Sequence, residues 1–371
     1  MSRFRFEVAG PKDDLELRQL LAVTPMAGPV TLSFRREPSF FAAAVVDGEF
    51  HQTVIARDTG ENRIAALGIR SVRQRYVNGM PMAVGYLSGL RVLPRYRGGR
   101  ILAEGYRFLK SLHEDGRAKF YLTTIAEGNT AALSALTSAR AGLPRYHFAG
   151  RYYTFAVPLS AGRRECDKGN RAVQIRHGTS ADLPAVTRYL SAVGATRQFF
   201  PRYDATDFFD HRGTFRDLRA EDLLLATRSG EIVGMLACWD QTAFRQIVVE
   251  EYAPSIRLTR PLFNGWAALA RQPKLPKAGM TLEFLTGALF VVRENDPHVA
   301  SMLLQSAGRT AANRTEHILI GVHESDPLAA VVRRFKSAEY VTRLYCVCWD
   351  DGEEMRRSLD DRPPYLELGC L

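Results

Sequence analysis

The sequence predicts an α/β protein built from two tandem units, each an α+β mixed central sheet flanked by helices. Three observations carry that expectation. The stretch GYLSGLRVLPRYRGGRILAEGYRFL, residues 85–109, passes from an apolar, β-prone segment through a basic turn with two glycines into apolar residues at helical spacing, which reads as strand, turn and helix. Short segments recur at one offset: GPKDDL from Gly10 and GTSADL from Gly178 are 168 residues apart, as are IAALGIRSV from Ile64 and IVGMLACWD from Ile232. Between the copies, SAGRRECDKGNR (Ser160–Arg171) consists mostly of small and charged residues that cannot bury a face. The units expected are 1–160 and 171–371.

In each unit the elements read strand, helix, three strands, turn, helix, strand, helix, strand. GPKDDL and GTSADL each follow a short strand and open an amphipathic helix. The segments from Ile64 and Ile232 are strands after a polar turn. LSG at Leu87–Gly89 parallels LTG at Leu285–Gly287, an offset of 198. That increase implies roughly thirty inserted residues in the second unit, and Gln241–Gly279 can hold them. EGNTAAL (Glu127–Leu133) parallels ESDPLAA (Glu324–Ala330), each following an apolar strand and opening a helix.

A chain of 371 residues, 46% hydrophobic, supports two cores. The longest apolar run, Phe40–Val46, is too short to cross a bilayer, and MSRFRF lacks the apolar stretch of a signal peptide; a cytoplasmic protein without a membrane partner is expected. Five cysteines, Cys166, Cys238, Cys346, Cys348 and Cys370, fit neither a disulfide framework nor a paired zinc motif. No metal is expected, and Cys346 and Cys348 read as buried free thiols on one face of a strand. The net charge of +10 favours anionic partners, from nucleic acid and anionic lipid to phosphorylated cofactors. RYRGGR occurs once, without an aromatic-interleaved array, so nucleic acid is not the expected partner. A G-x-x-x-x-G-K-[ST] phosphate loop is absent.

The order of elements, the Gly/Arg turn after the fourth strand and EGNTAAL after the fifth resemble the GNAT (GCN5-related N-acetyltransferase) superfamily over most of both units. The resemblance implies two GNAT-like acyl-CoA N-acyltransferase domains and acetyl-CoA as cosubstrate, its pyrophosphate held by the turn and the first helical turn. The physical reason is general: a helix start has unpaired N–H donors and a partial positive charge, and glycine lets a phosphate approach the backbone. Against the superfamily pattern Q/R-x-x-G-x-G/A, the register Arg97, Gly98, Gly99, Arg100, Ile101, Leu102 places Arg100 and Leu102 where small residues stand. The register starting at Arg95 also leaves Arg100 at the last small position. The residues expected at the cofactor are Leu90, Arg91, Val92, Arg97, Gly98, Gly99, Arg100, Ile101, Leu102 and Asn129; the alternative is a solvated basic turn that caps a helix. In the second unit RENDPHVASMLL places Glu294 and Asp296 at the corresponding turn. Carboxylates repel pyrophosphate, and Asp-Pro is a helix start by itself, so that unit is expected to lack the site.

Acyl transfer to an amine needs a neutral amine held beside the thioester carbonyl and a proton for the departing thiolate. The resemblance implies a carboxylate or histidine base and a tyrosine acid early in the helix after the fifth strand. NTAALSAL retains Asn129 and Ala132, but Leu136 occupies the tyrosine position. Tyr146 is the candidate acid, with Tyr152 and Tyr153 as alternatives and aromatic packing as the competing role. The fourth strand, AVGYLSGL, offers only Tyr86 and Ser88. Glu127 is the candidate base, with His51 and His147 behind it; its competing role is at the helix start, and Glu324 recurs at the same place in the second unit. The final RPPYLELGCL is expected to dock on the second unit; in some tandem GNAT enzymes a C-terminal carboxylate serves as base. The expected function is acetyl-CoA-dependent N-acetyl transfer to an unidentified amine in a cleft between the units, the alternative being a non-catalytic acyl-CoA or partner-binding module.

Overall fold

The computed structural model describes residues 3–98, 100–138, 143–160, 172–270, 274–311 and 313–371. Gly99, Cys166 and most of the expected linker, residues 161–171, lie outside the described residues. The first half contains β1 (Phe4–Val8), α1 (Asp14–Val23), β2 (Val30–Arg35), α2 (Phe40–Ala43), β3 (Phe50–Asp58), β4 (Arg63–Val77), β5 (Met80–Val92), α3 (Ile101–His113), β6 (Tyr121–Ala126), α4 (Thr130–Leu136) and β7 (Arg145–Pro158). The second contains β8 (Val173–His177), α5 (Leu183–Gly194), β9 (Leu223–Arg228), β10 (Glu231–Trp239), β11 (Gln246–Tyr252), α6 (Pro254–Ala270), β12 (Leu285–Val292), α7 (Pro297–Thr310), β13 (His317–His323), α8 (Leu328–Arg333), β14 (Ala338–Cys348) and α9 (Glu353–Arg357).

Local chemistry explains several of these boundaries. The turns leading into α1 and α5 are closed alike: the Gly10 N–H donates to Asp13 at 2.9 Å and the Thr179 N–H to Asp182 at 2.8 Å. Asn78-Gly79, with φ of 51° and 83°, makes the tight turn between β4 and β5, a pair suited to a two-residue hairpin. β11 and α6 fall inside the expected insertion.

Twelve strands form one sheet in the order β1-β3-β4-β5-β6-β14-β7-β13-β12-β10-β9-β8. Among the described residues only β5–β6 and β12–β13 are parallel strand pairs. The last strand of each half is exchanged: β14 lies against β6, and β7 against β13. β2 and β11 pair as a separate two-stranded sheet that joins the halves, a feature the sequence reading did not contain.

The ladders also correct one repeat alignment. The β4–β5 register shifts between Leu67↔Arg91 and Ile69↔Ser88, and the β10–β12 register between Met235↔Val291 and Ala237↔Ala288. Superposing these bulges retains the offset of 168 between β4 and β10 but sets β5 and β12 at 200, where LSG/LTG suggested 198. A slip of two residues leaves every side chain on its original face, so apolar patterning cannot detect it.

The tail is docked, with Tyr365, Leu366 and Cys370 buried, but on both halves rather than on the second alone. Tyr365 packs with Phe200 and Trp239, while Leu366 joins Val77, Val84 and Tyr86 of β4 and β5. Cys238, Cys346, Cys348 and Cys370 are free and buried, and burial raises the Cys346 and Cys348 thiols to about 12.

Candidate functional site

β5 and β6 pair over only two positions, Gly85↔Tyr121 and Tyr86↔Leu122, although β5 runs on to Val92 and β6 to Ala126. Beyond that point they part. The pivot is close-packed: a Cβ on Gly85 would lie 2.0 Å from the Tyr121 ring, so only glycine fits. The Tyr121 hydroxyl meets Arg70 Nε at 3.1 Å and His113 Nδ1 at 2.9 Å. Two side-chain bonds span the start of the gap, Thr123 Oγ1 donating to Leu87 O at 2.7 Å and Tyr86 Oη with Thr124 Oγ1 at 2.8 Å. The bulge in β5 follows at Gly89, whose φ is 64°, and bulges bend the strand that carries them. Leu90, Arg91 and Val92 follow the bend.

The chain then turns through Pro94–Tyr96 and Gly98 into α3. Gly98 has φ 79°, and a Cβ there would meet nothing within 4 Å. Arg100 stands at the N-cap, and its side chain makes no cap bond. The first N–H groups of the helix are the kind of donor an anion can take. Ile101 is buried and Leu102 packs into the core, so both can serve an anion only through their backbone. Arg97 Nε donates to Val92 O at 3.2 Å. Arg95 is withdrawn from the turn, paired with Glu61 and lying over the Tyr96 ring. Asn129 caps α4 by accepting the Ala132 N–H at 3.1 Å.

The second half closes the equivalent features. Asp296 caps α7, accepting the N–H groups of His298 and Val299 at 2.9 and 3.3 Å. β12 and β13 pair at three positions and run on, but the tail fills the space beyond. The buried Glu367 carboxylate accepts the Leu289 N–H at the β12 bulge at 2.9 Å, together with the Tyr365 hydroxyl and the Gly369 N–H. Leu368 lies against Gly321 of β13.

Glu127 follows β6, between Arg151 at 3.0 Å and Arg343 at 3.2 Å. The Arg151 hydrogen bond is the largest influence and, with Arg343, holds its carboxyl below the ordinary range. An anion so paired is a weak base. Tyr146 lies on the α3 side of the sheet, its hydroxyl bonded to that of Tyr106, and burial raises its pKa. Tyr152 is tied instead to the tail, donating to Leu366 O at 3.0 Å. The structure does not bring Glu127 and Tyr146 together: one sits between surface arginines and the other in a core.

His147, Cys348 and Glu353 offer ligand atoms within 4.8 Å of one another. Arg145 and Arg356 also donate to Glu353, at 3.2 and 3.3 Å, so its charge is already matched by cations.

Three features escaped the sequence reading: the Tyr86–Thr124 bridge, the Glu367 plug and two buried arginines of β4. Arg73 donates to Thr214 at 2.7 Å and Arg75 to Phe199 O at 3.0 Å, joining the halves. Their Nε atoms and the Tyr203 hydroxyl are buried without a hydrogen-bond partner among the described residues. Arginines within the strand RSVRQRYV were a usable signal, because a buried cation needs a reason.

No protein-family model matches the chain, and no curated protein matches it in sequence. Solved structures match it in fold. A GCN5-related N-acetyltransferase from Sphaerobacter thermophilus is 12% identical with a TM-score of 0.54, covering 100% of this chain and 99% of that one. One from Anabaena variabilis is 10% identical with a TM-score of 0.52, covering 93% and 72%. Saccharomyces cerevisiae N-myristoyltransferase with bound myristoyl-CoA is 9% identical with a TM-score of 0.57, covering 94% and 79%. Likeness at such identity speaks for fold and leaves chemistry to the residues. The chain has the fold of the GCN5-related N-acetyltransferases, built twice in tandem.

Proposed function

We propose that the protein is an acetyl-CoA-dependent N-acyltransferase whose first half binds the thioester and whose acceptor amine enters between the halves. The observation that supports this reading is the parted β5–β6 pair ending beside a helix start whose N-cap residue, Arg100, makes no side-chain cap bond, where the other half is capped and plugged. In this reading the domains are the units 1–160 and 171–371, joined by the exchanged strands. Leu90, Arg91 and Val92 flank the pantetheine arm with their backbone, and Gly98, Ile101 and Leu102 present backbone to the pyrophosphate. Arg97, Arg100 and Asn129 lie around the same path.

Acetyl-CoA supplies an acyl group activated as a thioester. The chain's own part is to hold it, exclude water and provide a proton. Tyr86 is the better placed donor: its hydroxyl bridges the strands where they part, and burial raises its pKa, so the phenol keeps its proton at neutral pH.

A second reading, acyl-CoA binding without turnover, is favoured by the ion pairing of Glu127. Calorimetry with CoA and acetyl-CoA, followed by a free-thiol assay over small amines and peptide amines, separates the two. Binding with thiol release supports the enzyme, binding without release for any amine supports the second reading, and no binding overturns both.

A further inference from the structure

Helix α6 turns apolar side chains away from the protein. Leu258, Leu262, Trp266 and Leu269 are 77%, 78%, 57% and 88% exposed, and their spacing puts them on one stripe along the helix. Phe263 packs beside Trp266, its ring centroid 5.8 Å away. The opposite side attaches to the body largely through polar contacts. Arg260 donates to Pro276 O at 2.7 Å, and Asn264 both donates to Leu275 O and accepts its N–H at 2.9 Å. Ala267 is buried there. An ordinary surface helix has the reverse arrangement, so this stripe calls for a covering partner.

Charge identifies the partner. Arg257, Lys274 and Lys277 are exposed along this segment, and from Ala253 to Gly279 the chain carries neither Asp nor Glu. A second copy packed α6 to α6 would set these cations against one another, whereas an anionic lipid surface accepts the leucines and tryptophan and neutralises the basic residues together. We propose that α6 docks the protein peripherally on anionic lipid, its stripe seated at the boundary between headgroups and acyl chains. Among the described residues no helix is long and apolar enough to cross a membrane; α6 lies on the surface. The inference does not depend on the thioester site.

The three tryptophans make the test direct: Trp239 and Trp349 are buried and Trp266 is exposed. The full chain is titrated with vesicles of phosphatidylglycerol and phosphatidylcholine, and with phosphatidylcholine alone, while tryptophan emission and co-sedimentation are followed. Expected are a blue shift and co-sedimentation with the anionic vesicles, weakened by salt, and far weaker binding to phosphatidylcholine. Leu262→Glu, at an exposed position, should lower partitioning at least about tenfold with its melting temperature unchanged. Absence of a blue shift on anionic vesicles overturns the proposal. So does vesicle binding that Leu262→Glu leaves intact, which would reflect only the overall positive charge. A wild-type dimer that ignores vesicles and is split by Leu262→Glu would assign the stripe to a second copy instead.

Discussion

α3 and α7 follow corresponding strands of the two halves and begin in opposite ways. α3 starts after Gly98 from Arg100, whose side chain makes no cap bond, while α7 starts from Asp296, whose carboxylate takes two of its backbone donors. The gaps beside them differ in the same sense. Glu367 holds the Leu289 N–H at the β12 bulge, and the β5–β6 gap is bridged near its start by Tyr86 with Thr124 and by Thr123 with Leu87 O. The comparison teaches that one architecture, built twice, can close a helix start or leave its N-cap side chain uninvolved through a few polar groups, because a carboxylate held at the start satisfies backbone donors that an external anion would otherwise have to compete for.

The largest expected effect is on the plug. Glu367→Ala leaves the Leu289 N–H, the Tyr365 hydroxyl and the Gly369 N–H without their acceptor, and should destabilise the fold by about 3 kcal/mol in urea unfolding. Glu367→Gln, which keeps one acceptor oxygen, should cost less. Equal losses would mean that the hydrogen bonds do not matter there.

Next comes the open helix start. Gly98→Asp has room for its side chain and sets a carboxylate where the phosphate is proposed, so calorimetric affinity for CoA should fall at least tenfold, about 1.4 kcal/mol. Unchanged affinity in a folded variant would remove the phosphate site from this turn.

The mirror experiment is smaller. Asp296→Ala removes the α7 cap and should cost about 1 kcal/mol of stability, with CoA affinity held to within about twofold. A larger change in affinity would contradict the division of labour between the halves.

The last expectation is a pH effect outside the compared sites. Burial acts to raise the Glu353 carboxyl, but hydrogen bonds from His147 and Arg145 prevail and hold it at about 2, below the ordinary 4.5. A depressed carboxylate contributes stability that is present above the ordinary value and is lost as pH falls through the window from 4.5 towards 2. Glu353→Gln should therefore flatten the acid limb of a melting-temperature profile; an unchanged limb would show that this cluster is energetically idle.

Much of the comparison was legible in local sequence. Asp296-Pro297 reads as a capped helix start and Arg97-Gly98 as an open one, because capping is settled within a few residues. The offset of 168 between β4 and β10 is also the offset in their ladders. The two-residue slip of β5 against β12 was illegible, since it changes no side chain's face. The partners of Glu127 and Tyr146, Arg151 with Arg343 and Tyr106, were not legible in sequence because they come from distant segments.

By itself the sequence determined the periodicities, the turn chemistry and the repetition of a unit, and with them the fold class and the contrast between two helix starts. These are short-range properties, written in neighbouring residues. Tertiary structure alone decided the exchange of β7 and β14, the joining of β2 to β11, the partners of Arg73 and Arg75, and the placing of Glu367 on the Leu289 N–H. Each depends on which remote groups the folded sheet brings within hydrogen-bonding distance, and a carboxylate in sequence is the same carboxylate whether it will meet water, a guanidinium or a buried N–H.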